Sequence, residues 1–496
     1  MPRLAPALGW IFAVGGSLVS SVGTAQPAQS DTSVARELAS PQERTDTLAP
    51  TAVTEAVLRV LPQLMAAQAE RDGADAEFLA AEGGFDPQLA VRAMFYPVGY
   101  YRYATADAEV QQATALWGMS LYAGYRLGTG LVPGSANVPS YYGERQTNGY
   151  GEVRAGLRIP ILRDGSIDRR RANVQSRSVG RDSAEAELSR VQIESVRAST
   201  IRYWDWVSAG QKRQIAGALL RVAEQRNSGL DARVRAGDLA RYEWLDNSRV
   251  VLAREASVVA AERALQTSAV ELSLFFRDPQ GAPIVVPPSR LPQELPPVDP
   301  SYSAWASHND RLGEAMAARP ELRRLDVQRA QAQIELDFAR NQALPQVDLV
   351  AQVSQDFGPM AGTSDTRGLF EVSAGVNVQI PLVMRAQIGR IRAAEAALAR
   401  VTALRGAARD RVIADVRAGV FALQAAIERA AIASREYELA QQVEAAERER
   451  FAQGDSTIFL VNQREQTTAE AAQRRIDALA DWQRARAMFV AAMGQR

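Results

Sequence analysis

The sequence predicts a mainly α protein with a membrane β-barrel portion, built from a duplicated unit of strand, strand and long helical hairpin. Three observations lead there. Residues 163–236 form a proline-free helical pattern of 74 residues, and a second long pattern ends near Phe451. Residues 370–380 alternate apolar and polar without interruption. The landmarks of the first half recur in the second at matching spacings.

The first residues read as a secretory signal. Arg3 supplies the positive charge, 8–22 are apolar, and Gly23-Thr24-Ala25 offers a small-residue cleavage site. Residues 26–50 are polar and read as a flexible lead. Residues 51–81 are helical in pattern, with Pro62 a break or a new first turn, and Gly83-Gly84 end them. A strand follows Phe85-Asp86-Pro87, with Leu89, Val91, Ala93 and Phe95 on one face. A second carries Val153, Ala155, Leu157 and Ile159. Between them lie nine of the 13 tyrosines, a cluster that suggests an aromatic girdle at a membrane interface, or else an ordinary β-rich core or binding loop.

The pattern over 163–236 spans about 110 Å at 1.5 Å per residue, too long for a globular helix. Gly237-Asp238 breaks it, and 239–276 return. Residues 278–300 hold eight prolines and read as an irregular connector. The second half then gives a helix over 319–341, a strand after Pro345, the alternating run 370–380 and a long helix with Val412, Val416, Val420, Leu423 and Ile427 on one stripe. A turn at Gln453-Gly454-Asp455 and a return helix to Met493 finish it. The segments are thus a signal peptide (1–25), a lead (26–50), a first repeat with helix, two barrel strands and helical hairpin (51–277), a connector (278–318) and a second repeat (319–496).

Register supports the duplication. Pro62 to Pro87 and Pro320 to Pro345 are both 25 residues, and Gly237 to Phe276 and Gly454 to Met493 are both 39. Pro160 to Gly237 is 77 and Pro381 to Gly454 is 73, a difference of about one helical turn. Each return helix is too short to cover its long partner. The helix before the strands supplies the rest, so each repeat stacks two short helices end to end beside one long helix. Four strands cannot close a barrel, so chains are expected to associate until the sheet closes.

Composition narrows the chemistry. The 57 basic and 57 acidic residues balance, which gives no pull toward nucleic acid. There is no cysteine and one histidine, His308, so disulfides, thiolate nucleophiles and histidine metal clusters are excluded. No catalytic, cofactor-binding or metal site is expected, and the chain does not read as an enzyme. Trp204, Trp206 and Trp482 read as packing where helices meet. The run Asp168-Arg169-Arg170-Arg171 reads as a solvated or interfacial face.

In this order and spacing, Phe85-Asp86-Pro87, Ile159-Pro160-Ile161-Leu162, Arg235-Ala236-Gly237-Asp238, Ala343-Leu344-Pro345, Ile380-Pro381-Leu382 and Ala452-Gln453-Gly454-Asp455 resemble the TolC-type outer-membrane efflux proteins. The resemblance covers almost the whole mature chain. It implies a homotrimer that gives four strands per chain to an outer-membrane barrel and its helices to a periplasmic α-barrel, a trimeric α/β conduit in contact with outer-membrane lipid. It implies the channel of a tripartite efflux pump or type I secretion system, with a periplasmic adaptor and an inner-membrane transporter as partners. It places adaptor docking at the tips Gly237, Asp238, Gly454 and Asp455, and the gate beside them. There Glu243 stands for an acidic link partner, Phe451 for a usual tyrosine and Ser456 for a usual arginine. Leu460 and Gln463 replace two ring aspartates, which leaves two readings of Phe451, Phe459 and Leu460: a hydrophobic constriction in place of the ring, or side chains that simply pack the hairpin. The competing reading is a periplasmic coiled-coil adaptor or structural protein without a pore.

Overall fold

A computed structural model describes residues 47–96, 98, 103–130, 147–299, 301–302, 311–359 and 370–496. The expected signal peptide, most of the lead and His308 lie outside them. The described elements are α1 (Pro50–Val60), α2 (Pro62–Glu82), β1 (Gln88–Tyr96), β2 (Tyr103–Ala113), β3 (Ser120–Gly130), β4 (Glu152–Pro160), α3 (Arg169–Ala236) and α4 (Arg241–Ser273). After the connector come α5 (Arg311–Ala318), α6 (Pro320–Asn341), β5 (Gln346–Asp356), β6 (Glu371–Gln379), α7 (Arg385–Gln453) and α8 (Ile458–Ala492).

Local chemistry sets the helix boundaries. Pro62 and Pro320 both open helices, where the missing N–H has no partner to lose. Asp168 caps α3 by accepting from the Arg171 amide at 2.9 Å. Gly237 and Gly454 end α3 and α7 at φ 82° and 88°, and the amides of Asp238 and Asp455 reach back to Arg233 and Arg450. Both ends are Schellman caps, which need a left-handed residue. The two long helices have 68 and 69 residues. The four-residue difference between the repeats does not shorten α7, because α7 starts nearer its strand.

The helices form a wall one layer thick and four columns wide. Helices α2 and α4 stack end to end along α3, and α6 and α8 stack between α3 and α7. This is the two-short-beside-one-long packing that the lengths predict. The apolar packing is concentrated at the joints. At one, Trp204, Trp206 and Tyr203 meet Leu265, Leu272 and the connector residues Val286, Leu291 and Leu295. At the other, Trp482 and Phe489 meet Val412, Val416 and Leu423. The three tryptophans therefore pack where helices meet, as expected.

The sheet departs from expectation. It has six strands in the order β1-β2-β3-β4-β5-β6, all antiparallel. The first repeat contributes four strands, not two, because residues between 96 and 150 supply the hairpin β2–β3. That hairpin turns through Trp117 and Gly118, both at positive φ.

Candidate functional site

The sheet has two chemically opposite faces. Strand by strand, one face carries Leu89, Val91, Ala93 and Phe95; Ala104, Ala106, Ala108 and Val110; Leu121, Ala123, Tyr125 and Leu127; Val153, Ala155, Leu157 and Ile159; Val347, Leu349, Ala351 and Val353; and Val372, Ala374, Val376 and Val378. No charged residue stands on it. All ten charged residues of the strands lie on the other face. The strands are 9 to 11 residues long, the length a tilted strand needs to cross a bilayer.

The polar face is knitted together across the strands. Arg126 donates to Asp107 at 2.7 Å, and Arg154 donates to Glu109 at 2.8 Å. Arg158 pairs with Asp348 at 2.8 Å. The Tyr122 hydroxyl donates to Gln352 at 2.6 Å. Tyr96 and Tyr103 stack at 4.3 Å on this face as well. The girdle expectation therefore fails for Tyr96, Tyr103 and Tyr122, since a girdle residue faces lipid. Tyr125 does stand on the apolar face.

The tips lie at the far end of α3 and α7, about 100 Å from the strands at 1.5 Å per residue. Gly237, Asp238, Gly454 and Asp455 are all exposed there. Phe459 is 63% exposed, Phe451 is 37% exposed, and Gln463 is also exposed. Leu460 is half-buried, and its amide donates to the capping Thr457 hydroxyl. Glu243 is half-buried in the first turn of α4 and makes no ion pair among the described residues. Ser456 donates to the buried Glu447, which also faces Arg450 and Arg464 at 3.7 Å. Where the resemblance places an arginine link between helices, Ser456 ties its own hairpin instead.

A feature that sequence reasoning missed lies just inside the tips. Glu465 on α8 is 1% exposed. It takes ion pairs from Arg226 on α3, Arg254 on α4 at 3.1 Å and Arg448 on α7 at 3.2 Å. One carboxylate thus ties all four helices of the two hairpins. Burial opposes its ionisation, but hydrogen bonds and charge from Arg226 and Arg254 outweigh burial and hold its pKa below the usual carboxylate value. Arg254 is 5% exposed, and burial lowers its pKa despite the pairing. The signal was present in the sequence: Val461, Glu465 and Ala469 share one buried stripe of α8 at spacings of four, so the acid occupies a core position.

Among the described residues, no group of three or more histidine, aspartate or glutamate side chains is placed to hold a metal ion. No described helix is long and apolar enough to cross a membrane.

The sheet thus has one apolar and one charged face and is carried on helical hairpins about 100 Å long at 1.5 Å per residue. Residues 312–495 match the family model described as outer membrane efflux protein. The fold is similar to that of the outer-membrane protein VceC from Vibrio cholerae, at 16% identity and TM-score 0.61, covering 90% of this chain and 96% of that one. It is also similar to the Campylobacter jejuni CmeC outer-membrane channel, at 12% identity and TM-score 0.59, covering 90% and 85%. The open state of the Neisseria gonorrhoeae MtrE outer-membrane channel gives 13%, 0.60, 90% and 89%. No curated protein sequence matches the chain significantly. The TolC-type resemblance is thus borne out by sequence in the second repeat and by fold over nine tenths of the chain.

Proposed function

We propose that this chain is one third of an outer-membrane export duct that crosses the outer membrane through its sheet and the periplasm through its helices. The two-faced sheet carries this reading. Its apolar side suits lipid, and its charged side suits a water-filled lumen. A soluble sandwich would bury such a face under a second layer, whereas Leu89, Val91, Phe95, Val372 and Val376 stand exposed here.

The need for partner copies follows from what the single chain leaves open. A one-layer helical wall has no second layer to bury its apolar residues. Large apolar side chains stand exposed on both outer columns: Leu252 and Val259 on α4, and Phe421, Ile432 and Leu439 on α7. The edge strands β1 and β6 are exposed along their whole length. Three copies joined edge to edge bury both sets. Transport through the duct is passive and needs no catalytic group. The tips at Gly237, Asp238, Gly454 and Asp455 dock a periplasmic adaptor that links the duct to an inner-membrane transporter. Phe451, Phe459 and Leu460 narrow the entrance, with Glu243 and Gln463 beside them.

Purified protein should run as a trimer in detergent and conduct ions in a planar bilayer. A monomer that stays soluble without detergent and fractionates with the periplasm would overturn this reading.

A further inference from the structure

We infer that the hairpin β2–β3 is part of the membrane wall, so that the trimer closes an eighteen-stranded barrel whose wide, charged lumen leaves selection of cargo to the helical tips. This rests on the duct reading above and goes beyond it. The sequence and its resemblance lead to twelve strands.

Three observations carry the inference. First, the hairpin repeats the polarity of its neighbours without a slip. Ala104, Ala106, Ala108 and Val110 continue the apolar face, while Asp107 and Glu109 continue the charged one. A hairpin folded as a lid or plug would not need this alternation. A one-residue slip would drive those acids into lipid.

Second, the polar face locks the hairpin into the sheet. Register places Glu109, Gly124 and Arg154 in one row across β2, β3 and β4, and Arg154 reaches over Gly124 to Glu109. The next row holds Tyr122, Gly156 and Gln352, and the Tyr122 ring lies over Gly156 to reach Gln352. A Cβ on Gly156 would sit 2.5 Å from that ring. In the second row the glycine clears the way for a side chain to bond two strands away.

Third, the circumferences agree. Twelve helices, four columns from each of three chains, packed 8–10 Å apart make a ring of about 110 Å. Eighteen strands about 4.8 Å apart and tilted about 40° make a ring of about 113 Å, and twelve make only about 75 Å. The wider barrel continues the helical tunnel without a taper. Barrels of sixteen to eighteen strands leave an aqueous channel. The exit is then no narrower than the tunnel, and the narrow entrance at the tips decides what passes.

The chain has no cysteine, so single cysteines report cleanly. In intact outer membranes, Thr105→Cys, on the polar face, should react with a water-soluble maleimide about tenfold faster than Ala106→Cys or Ala123→Cys, which face hydrocarbon. The three should react alike after unfolding. Electron cryomicroscopy of the unmodified protein in lipid nanodiscs should show eighteen strands. A trimeric channel with twelve strands, or with equal labelling at all three positions, overturns this inference and leaves the duct reading intact. Failure to form a membrane trimer overturns the duct reading itself.

Discussion

Arg154 and Glu109 form an ion pair at 2.8 Å although a whole strand, β3, lies between theirs. Gly124 stands between them in the same row. Its Cβ position is already crowded, 2.7 Å from the Ala108 carbonyl oxygen and 3.1 Å from the Glu109 Cα. Gly124→Val should therefore loosen the β2–β3 hairpin, and trimers carrying it should dissociate at lower temperature on semi-native gels. Arg154→Ala and Glu109→Gln should show a coupling of about 1–2 kcal/mol in a double-mutant cycle read by the same melting. Full additivity would mean that the pair contributes nothing.

The Glu465 cluster gives a prediction with a defined sign. Glu465→Gln leaves Arg254 buried with its charge uncompensated, and breaking such a pair costs about 3–5 kcal/mol. Thermal unfolding of the helical body should shift down accordingly. The folded pKa of Glu465 is lowered, so its contribution is fully present above the unfolded pKa of about 4.3 and fades as pH falls through the folded value. The unmodified protein should therefore lose stability below about pH 4.3, with a steeper acid slope than Glu465→Gln. Parallel slopes in circular-dichroism melts from pH 3 to 7 would remove Glu465 from the explanation.

These two sites mark what the sequence allowed to be read. The helix breaks at Gly237 and Gly454, the restarts at Pro62 and Pro320 and the run before Ile380 were legible, because each rests on backbone chemistry or strict period. Strands β2 and β3 were not. The apolar positions of β2 are largely alanine, at 104, 106 and 108, and alanine is a weak strand signal, while glycines at 124, 128 and 130 interrupt the pattern of β3. Gly124 itself is where the β2 backbone approaches closely, 2.7 Å from its Cβ position. The Glu465 cluster was hidden differently. Charges on helices are usually solvated, and the one clue that this acid is not was its place on the stripe of Val461 and Ala469.

The connector joint predicts a rescue. Gly210 on α3 faces Leu291, and a Cβ there would lie 2.4 Å from a Leu291 methyl carbon. Gly210→Ala should overpack the joint and cost about 1–3 kcal/mol. Adding Leu291→Ala should restore part of that loss, because the clash is with the end of one side chain. Melting temperatures of the two single variants and the double variant check this, and a double variant less stable than both singles would reject the proposed contact.

The docking role proposed for the tips predicts that folding and export separate there. Gly237 and Gly454 have open space around the Cβ position, so a side chain there meets nothing within the chain. The cost of replacement is therefore conformational, about 1–2 kcal/mol for holding a β-branched residue at positive φ. That strain is confined to a terminal turn far from the sheet. Gly454→Val should insert and trimerise like the unmodified protein, while its tip no longer holds the shape that docking requires. Export should fall more than membrane assembly does, and Gly454→Asn, which tolerates the left-handed conformation, should recover much of it. Measuring export and trimer content in the same cells tests the point: equal losses in both would make the tip a folding element, and unchanged export would remove it from docking.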